Sequence, residues 1–184
     1  MKWFLKELSE YKNKPLSVSE DMNLSDDIMS RYSKYVISAD DDIHVVANVF
    51  SENGDAIVTA RVTGKIVVPS SRSLTPVDLP LDFSINEVYV ETNLRLKERE
   101  DEGEIAFLVD DEGEIDFDKS VADNIILQIP MHILSPEEIK TGKMPEGNDW
   151  EVISEDDLAE QEANDKKVDP RLAKLKDFFN DSDN

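Results

Sequence analysis

Residues 56–90 constrain this chain more than any other stretch. Ala56, Val58, Ala60, Val62, Gly64, Ile66 and Val68 alternate with Ile57, Thr59, Arg61, Thr63, Lys65 and Val67. After Pro69-Ser70-Ser71-Arg72-Ser73 the alternation resumes as Val77, Leu79, Leu81, Phe83 and Ile85. Successive side chains of a strand point to opposite faces, so a period of two marks a half-buried strand. Two long strands joined by a polar turn are expected, and another layer must cover one of their faces. Beyond Ile85 the apolar positions become Val88 and Val90, a change of phase. An extra residue on one strand has this effect, which predicts a β-bulge.

The flanking sequence supplies partners for these strands. Ile43, Val45, Ala47 and Val49 alternate up to Phe50, and Asn53-Gly54 follows. Asn-Gly provides the positive φ angles of a type I′ turn, so a hairpin into Ala56 is predicted. Upstream, Trp3, Phe4, Leu5 and Leu8 mark a first edge element, either strand or short helix, and an extended segment runs through Leu16 and Val18. Asn23-Leu24-Ser25-Asp26-Asp27 carries helix-start chemistry, predicting a helix over 25–33 with Ile28, Met29 and Tyr32 inward. Residues 35–38 read as a strand. Downstream, residues 105–109 and 115–117 read as two short strands of one hairpin. Val121, Ile125 and Ile129 recur at helical spacing, with Asp118 or Ser120 as cap and Pro130 as the stop. The apolar run from Ile129 to Leu134 is expected to pack on the sheet.

Charge narrows the function. The chain carries 42 Asp and Glu against 20 Lys and Arg, a net charge of −22. Nucleic acid and anionic membranes attract a positive footprint, so both are disfavoured as bulk partners and a basic protein is favoured. There is no cysteine, which excludes disulfides and thiolate metal ligands. The first residues lack the apolar core of a signal peptide, and no run approaches the ~20 apolar residues of a membrane span. A cytoplasmic protein is expected.

No catalytic motif stands out. His44 and His132 lack partners at metal or triad spacing, and no Gly-x-Ser-x-Gly elbow is present. With Gly113 at the sixth position of a calcium loop, the first position is Leu108, so the ligand register fails. Arg61 and Lys65 share the polar face of one strand, and Arg72 lies in the adjoining turn. They either offset neighbouring acids or form a small positive patch, which keeps contact with RNA open.

Residues 62–77 resemble the core of the YceD family, bacterial and plastid proteins linked to accumulation of 23S ribosomal RNA. Arg72 and Leu74 match the family's turn, and Leu81, Phe83, Asn86 and Glu87 match its following strand. The tail matches as well, in Asp169-Pro170-Arg171-Leu172 and Leu175. Ser70, Ser73 and Ser135 stand where many relatives have cysteines. Hydroxyls are poor substitutes for thiolate ligands, so here the turn must be held by packing and hydrogen bonds.

The expected fold is α+β, with a twisted antiparallel sheet or partial β-barrel, flanking helices and an acidic, partly disordered C-terminal region. Residues 1–134 would form the main domain and 135–168 an acidic linker with a transient helix near 155–162. Residues 169–184 would form an amphipathic helix and tail, whose apolar stripe is Leu172, Leu175, Phe178 and Phe179. The resemblance implies a non-enzymatic factor that supports 23S rRNA accumulation, and the acidic surface adds the expectation that it binds a basic ribosomal protein, an assembly factor or the pre-ribosomal large subunit. No cofactor, metal, membrane or DNA enters this reading. Its candidate contact residues are Arg61, Lys65, Arg72, Asp169, Arg171 and Leu172. Two alternatives are a metal-dependent RNA-processing hydrolase and an acidic mimic of nucleic acid.

Overall fold

The computed structural model describes residues 1–12, 14–142, 144–153, 155 and 157–159. The chain divides into two compact units, Met1–Pro136 and Glu137–Asn184. In the first, strand β1 (Lys2–Phe4) leads directly into helix α1 (Leu5–Leu8), so the first edge element is strand and helix in turn. Next come β2 (Leu16–Met22), helix α2 (Ser25–Tyr32), a two-residue β3 (Ser38–Ala39) and β4 (Ile43–Glu52). The two longest strands follow, β5 (Asp55–Pro69) and β6 (Pro76–Val90). The unit continues with α3 (Asn93–Asp101), β7 (Ala106–Leu108), β8 (Glu114–Asp116) and α4 (Phe117–Leu127). A last helix, α5, runs Pro136–Thr141.

The main sheet has the order β2-β4-β5-β6-β7, with β3 beside β5, and all neighbours are antiparallel except β6 and β7. The β4–β5 hairpin turns at Asn53 (φ 54°) and Gly54 (φ 94°), the two positive angles that a type I′ turn requires. Residues of one parity build the core face. They include Val45, Ala47 and Val49 on β4, Val58, Val62 and Ile66 on β5, and Leu81 and Ile85 on β6, all buried. Each Val, Leu or Ile side chain among them contributes about 1.5–3 kcal/mol when it leaves water. Leu8 of α1, Ile28 of α2, and Phe117, Val121 and Ile125 of α4 close over this face. Trp3 stacks on Phe117 with ring centroids 5.0 Å apart, tying β1 to the start of α4. Gly64 sits mid-strand because a Cβ there would come 2.7 Å from Ile43 Cδ1.

Several local expectations change. The β5–β6 ladder is unbroken from Ala56↔Tyr89 to Pro69↔Pro76, so there is no bulge. The apolar phase changes because both faces of β6 are covered at its end: Glu87, Val88, Tyr89 and Val90 are all buried. The strand read at 35–38 shrinks to Ser38–Ala39, since Tyr35 and Val36 bond back to the Tyr32 carbonyl at the end of α2. Residues 105–109 and 115–117 do not form one hairpin. Instead β7 joins β6 in parallel, and β8 pairs antiparallel with β1. Helix α4 starts earlier than expected, capped by Asp116 rather than Asp118 or Ser120; Asp116 accepts the Lys119 N–H at 3.2 Å, and the helix ends at Leu127. The run after it packs only in part: Ile129 and Ile133 lie against the core, while Met131 is 92% exposed.

Among the described residues of the second unit, Glu146 and Glu151 form an antiparallel bridge. The Gly147 N–H donates to the Trp150 carbonyl at 2.7 Å, closing the turn between them. A Cβ on Gly147 would meet the indole of Trp150, so a larger residue there would require that exposed ring to move. Residues 155 and 157–159 are helical, and the remainder of the stretch expected to be a transient helix lies outside the described residues.

Candidate functional site

Arg61 and Lys65 lie on the outer face of β5. Arg61 donates from Nε and Nη2 to both carboxylate oxygens of Asp82, each at 2.8 Å. Lys65 Nζ stands 3.5 Å from Asp78. Both pairs are diagonal across the β5–β6 ladder, where long side chains reach each other. The Arg61 guanidinium holds the Asp82 carboxyl below the usual carboxylate range. A carboxylate with a lowered pKa stabilises the fold above the ordinary range, and that contribution disappears as the pH falls through the lowered value. These two cations therefore serve neighbouring acids. Asp169, Arg171 and Leu172 lie outside the described residues.

Arg72 sits half-buried in the β5–β6 connection. That turn is built by hydroxyls. The Ser70 N–H donates to the Thr75 carbonyl at 2.8 Å, and the Leu74 N–H to the Ser70 carbonyl at 3.1 Å. The buried Ser70 Oγ accepts the Arg72 and Ser73 N–H groups at 3.1 and 3.4 Å. Ser73 Oγ bonds Thr75 Oγ1 at 2.8 Å. Leu74 takes φ 61°, unusual for a bulky residue and sustained here by the surrounding bonds. Ser71 then joins the turn to the chain after α4: its N–H donates to the Ile133 carbonyl at 2.8 Å, and its Oγ accepts the Ile133 N–H at 2.9 Å. Hydrogen bonds thus hold a turn that the cysteine-free sequence cannot hold with thiolates.

Sequence reasoning missed a cleft of about 600 Å³ between β6, β7, β8 and α4. Its apolar wall is Ile105, Phe107, Leu108 and Leu127, with Ile105 63% and Leu127 78% exposed. The Phe107 ring lies 5.8 Å from that of Tyr89. Glu87 lies at the base, 4% exposed. It accepts the Tyr89 hydroxyl at 2.6 Å, the Ser120 hydroxyl at 2.6 Å and the Asn124 amide at 2.8 Å. Its three hydrogen-bond donors are all neutral. Burial, and next the negative field of Glu87, push the Tyr89 phenol well above its ordinary value, so it remains a donor. Glu114, Asp116 and Asp123 add further carboxylates to the lining, against Lys119. Lys2 offsets part of this charge, standing 2.5 Å from Glu114 and 3.3 Å from Asp116, and Arg31 pairs with Asp123. The signal available in the sequence was Glu87 itself, an acid on the core-facing parity of the strand.

A second cluster joins the start of β5 to α3. Asp55, at the start of β5, is buried and accepts Arg99 Nε at 2.9 Å together with the Arg95 guanidinium. Arg99 is 6% exposed, and it also reaches Glu104 at 3.0 Å and Glu52 at 3.3 Å. Because Glu104 immediately precedes Ile105, this cluster fixes where β7 begins. Among the described residues, no group of three His, Asp or Glu side chains is placed to hold a metal ion. No helix among them is long and apolar enough to cross a membrane.

The family model "Large ribosomal RNA subunit accumulation protein YceD" matches residues 58–179. The uncharacterized protein YlbN of Bacillus subtilis (strain 168) is 35% identical over 123 residues, covering 66% of this chain and 65% of YlbN. The match thus spans just under two thirds of that relative's length. No solved structure matches the chain. The cleft, the hydroxyl-built turn and nearly all of the β5–β6 hairpin lie inside the matched region, and the chain belongs to the YceD family, a ribosome-biogenesis family named for accumulation of the large ribosomal RNA subunit.

Proposed function

We propose that the chain is a non-enzymatic ribosome-biogenesis factor. It supports 23S rRNA accumulation by holding a basic ribosomal protein or assembly factor during large-subunit assembly. The observation that carries this reading is the chain's charge, −22 in a family named for ribosomal RNA accumulation. An excess of carboxylates speeds encounter with a basic partner and selects against free RNA. The engagement of Arg61 by Asp82 and of Lys65 by Asp78 supports it, since those cations are already occupied. Arg72 and the Asp169–Leu172 motif remain the proposed contact residues outside the cleft.

The test is affinity capture of assembly intermediates on the full chain, with bound proteins identified by mass spectrometry. Basic ribosomal proteins or large-subunit precursors are expected at low salt. Raising the ionic strength from about 0.1 M to about 1 M shortens the screening length from about 10 Å to about 3 Å, and recovery should fall steeply. Capture of no ribosomal protein or precursor particle would overturn the reading.

A further inference from the structure

The outer edge of β6 is only partly used. Its one neighbour on that side is β7, which pairs with Val88, Tyr89 and Val90 and no further. The Val88 N–H donates toward β7, to the Ile105 carbonyl at 2.9 Å. The ladder to β5 contains no bulge, so backbone direction alternates strictly along the strand. Asn86, Ser84, Asp82 and Pro80 share the parity of Val88 and turn their backbone groups outward. Among the described residues no strand pairs there.

Open edges attract other chains, and proteins block them with proline and charge. The lower part of this edge is blocked in that way, by Pro76 and Pro80 with Asp78 between them. The upper part, at Ser84 and Asn86, is not. It carries small or polar exposed side chains, and it is there that the cleft opens, with both residues in its lining. A strand laid on this edge would send alternate side chains into the cleft, against Phe107 and Leu127.

We propose that residues 82–86 of β6 and the adjoining cleft form a strand-addition site. Its occupant is an extended basic segment of a partner protein, with apolar residues at alternate positions. Main-chain bonds to Ser84 and Asn86 would provide affinity, and the apolar wall the side-chain selection. Charge complementarity favours this occupant over a second copy of the chain. A second copy would bring its own charge of −22 to the same edge, whereas a lysine-rich strand brings cations to the chain's acidic surface. This inference rests on the proposed function for the partner's identity, but not for the site itself.

The probe is a ten-residue peptide of alternating valine and lysine, with an alternating valine and glutamate peptide as control. The lysine peptide is expected to bind, and to slow amide hydrogen exchange at Ser84 and Asn86 by about tenfold or more. Ser84→Pro removes an outward N–H without touching the β5 ladder, and Leu127→Asp alters an exposed wall residue. Each is expected to raise the peptide Kd by about tenfold while the amide spectrum stays folded. Equal binding of both peptides, binding without protection of Ser84 and Asn86, or unchanged affinity in both variants would overturn the site. So would protection of these amides in free protein that sediments as a dimer. If Ser84→Pro captures ribosomal proteins as well as the parent does, the site fails and the proposed function stands. If the peptide binds as expected but no ribosomal protein is captured, the proposed function fails and the site stands.

Discussion

Arg99→Ala is expected to destabilise the fold by about 3 kcal/mol or more, because it leaves a buried carboxylate short of its cation. Asp55 is 2% exposed and receives Arg99 Nε at 2.9 Å. Arg95 also reaches Asp55, which keeps the loss near the lower end of the range for a broken buried pair. The same substitution frees Glu104 from its 3.0 Å bond, so β7 and the wall at Ile105 should loosen together. Urea unfolding gives the stability, and amide exchange at residues 106–108 gives the local effect. A loss below about 1 kcal/mol, as for an exposed ion pair, would show that the cluster is solvated.

Glu87→Ala is the second large expected effect, at about 2–4 kcal/mol, because Tyr89 and Ser120 lose their acceptor and Asn124 keeps only its bonds to Ser120. Glu87→Gln keeps one acceptor oxygen but turns an NH₂ toward donors, so about 1–2 kcal/mol is expected. The two variants also separate fold from binding. Glu87→Gln should remain folded at 25 °C yet bind a basic peptide more weakly, since the carboxylate at the base of the cleft is gone. Equal stability of Glu87→Ala and the parent protein would mean that water already replaces the network.

The residues explain which parts of this fold were legible in sequence. Wherever one face of a strand meets water, as along Ile43–Val49 and Ala56–Val68, the period of two is unmistakable and the architecture follows from it. At residues 87–90 the pattern suggested a bulge because the strand is covered on both sides, and two-sided burial erases alternation without disturbing the ladder. Helix α3 escaped notice for a different reason. Its anchors are Arg95 and Arg99 rather than an apolar stripe, and ion pairs leave no helical hydrophobic period. The pairing of β7 with β6 in parallel was also hidden, since nothing local in Ala106–Leu108 encodes its partner.

The site was less visible than the fold. Arg61 and Lys65 attracted attention as cations in an acidic chain, and their environment is the offsetting one, with Asp82 and Asp78 two rungs away on the diagonal. The cleft depends on where β7 stops along β6 and on how α4 crosses it, both long-range facts. The serines of the β5–β6 turn lie between these cases. The lack of cysteine required hydrogen bonding there, and Ser70, Ser71 and Ser73 supply it through their hydroxyls.

The central claim concerns the large ribosomal subunit, and the most direct measurement is the ratio of 23S to 16S rRNA after the chain is depleted from growing cells. The account predicts that the ratio falls, that the full chain restores it, and that a folded Glu87→Gln variant restores it less well. An unchanged ratio under complete depletion would contradict the account.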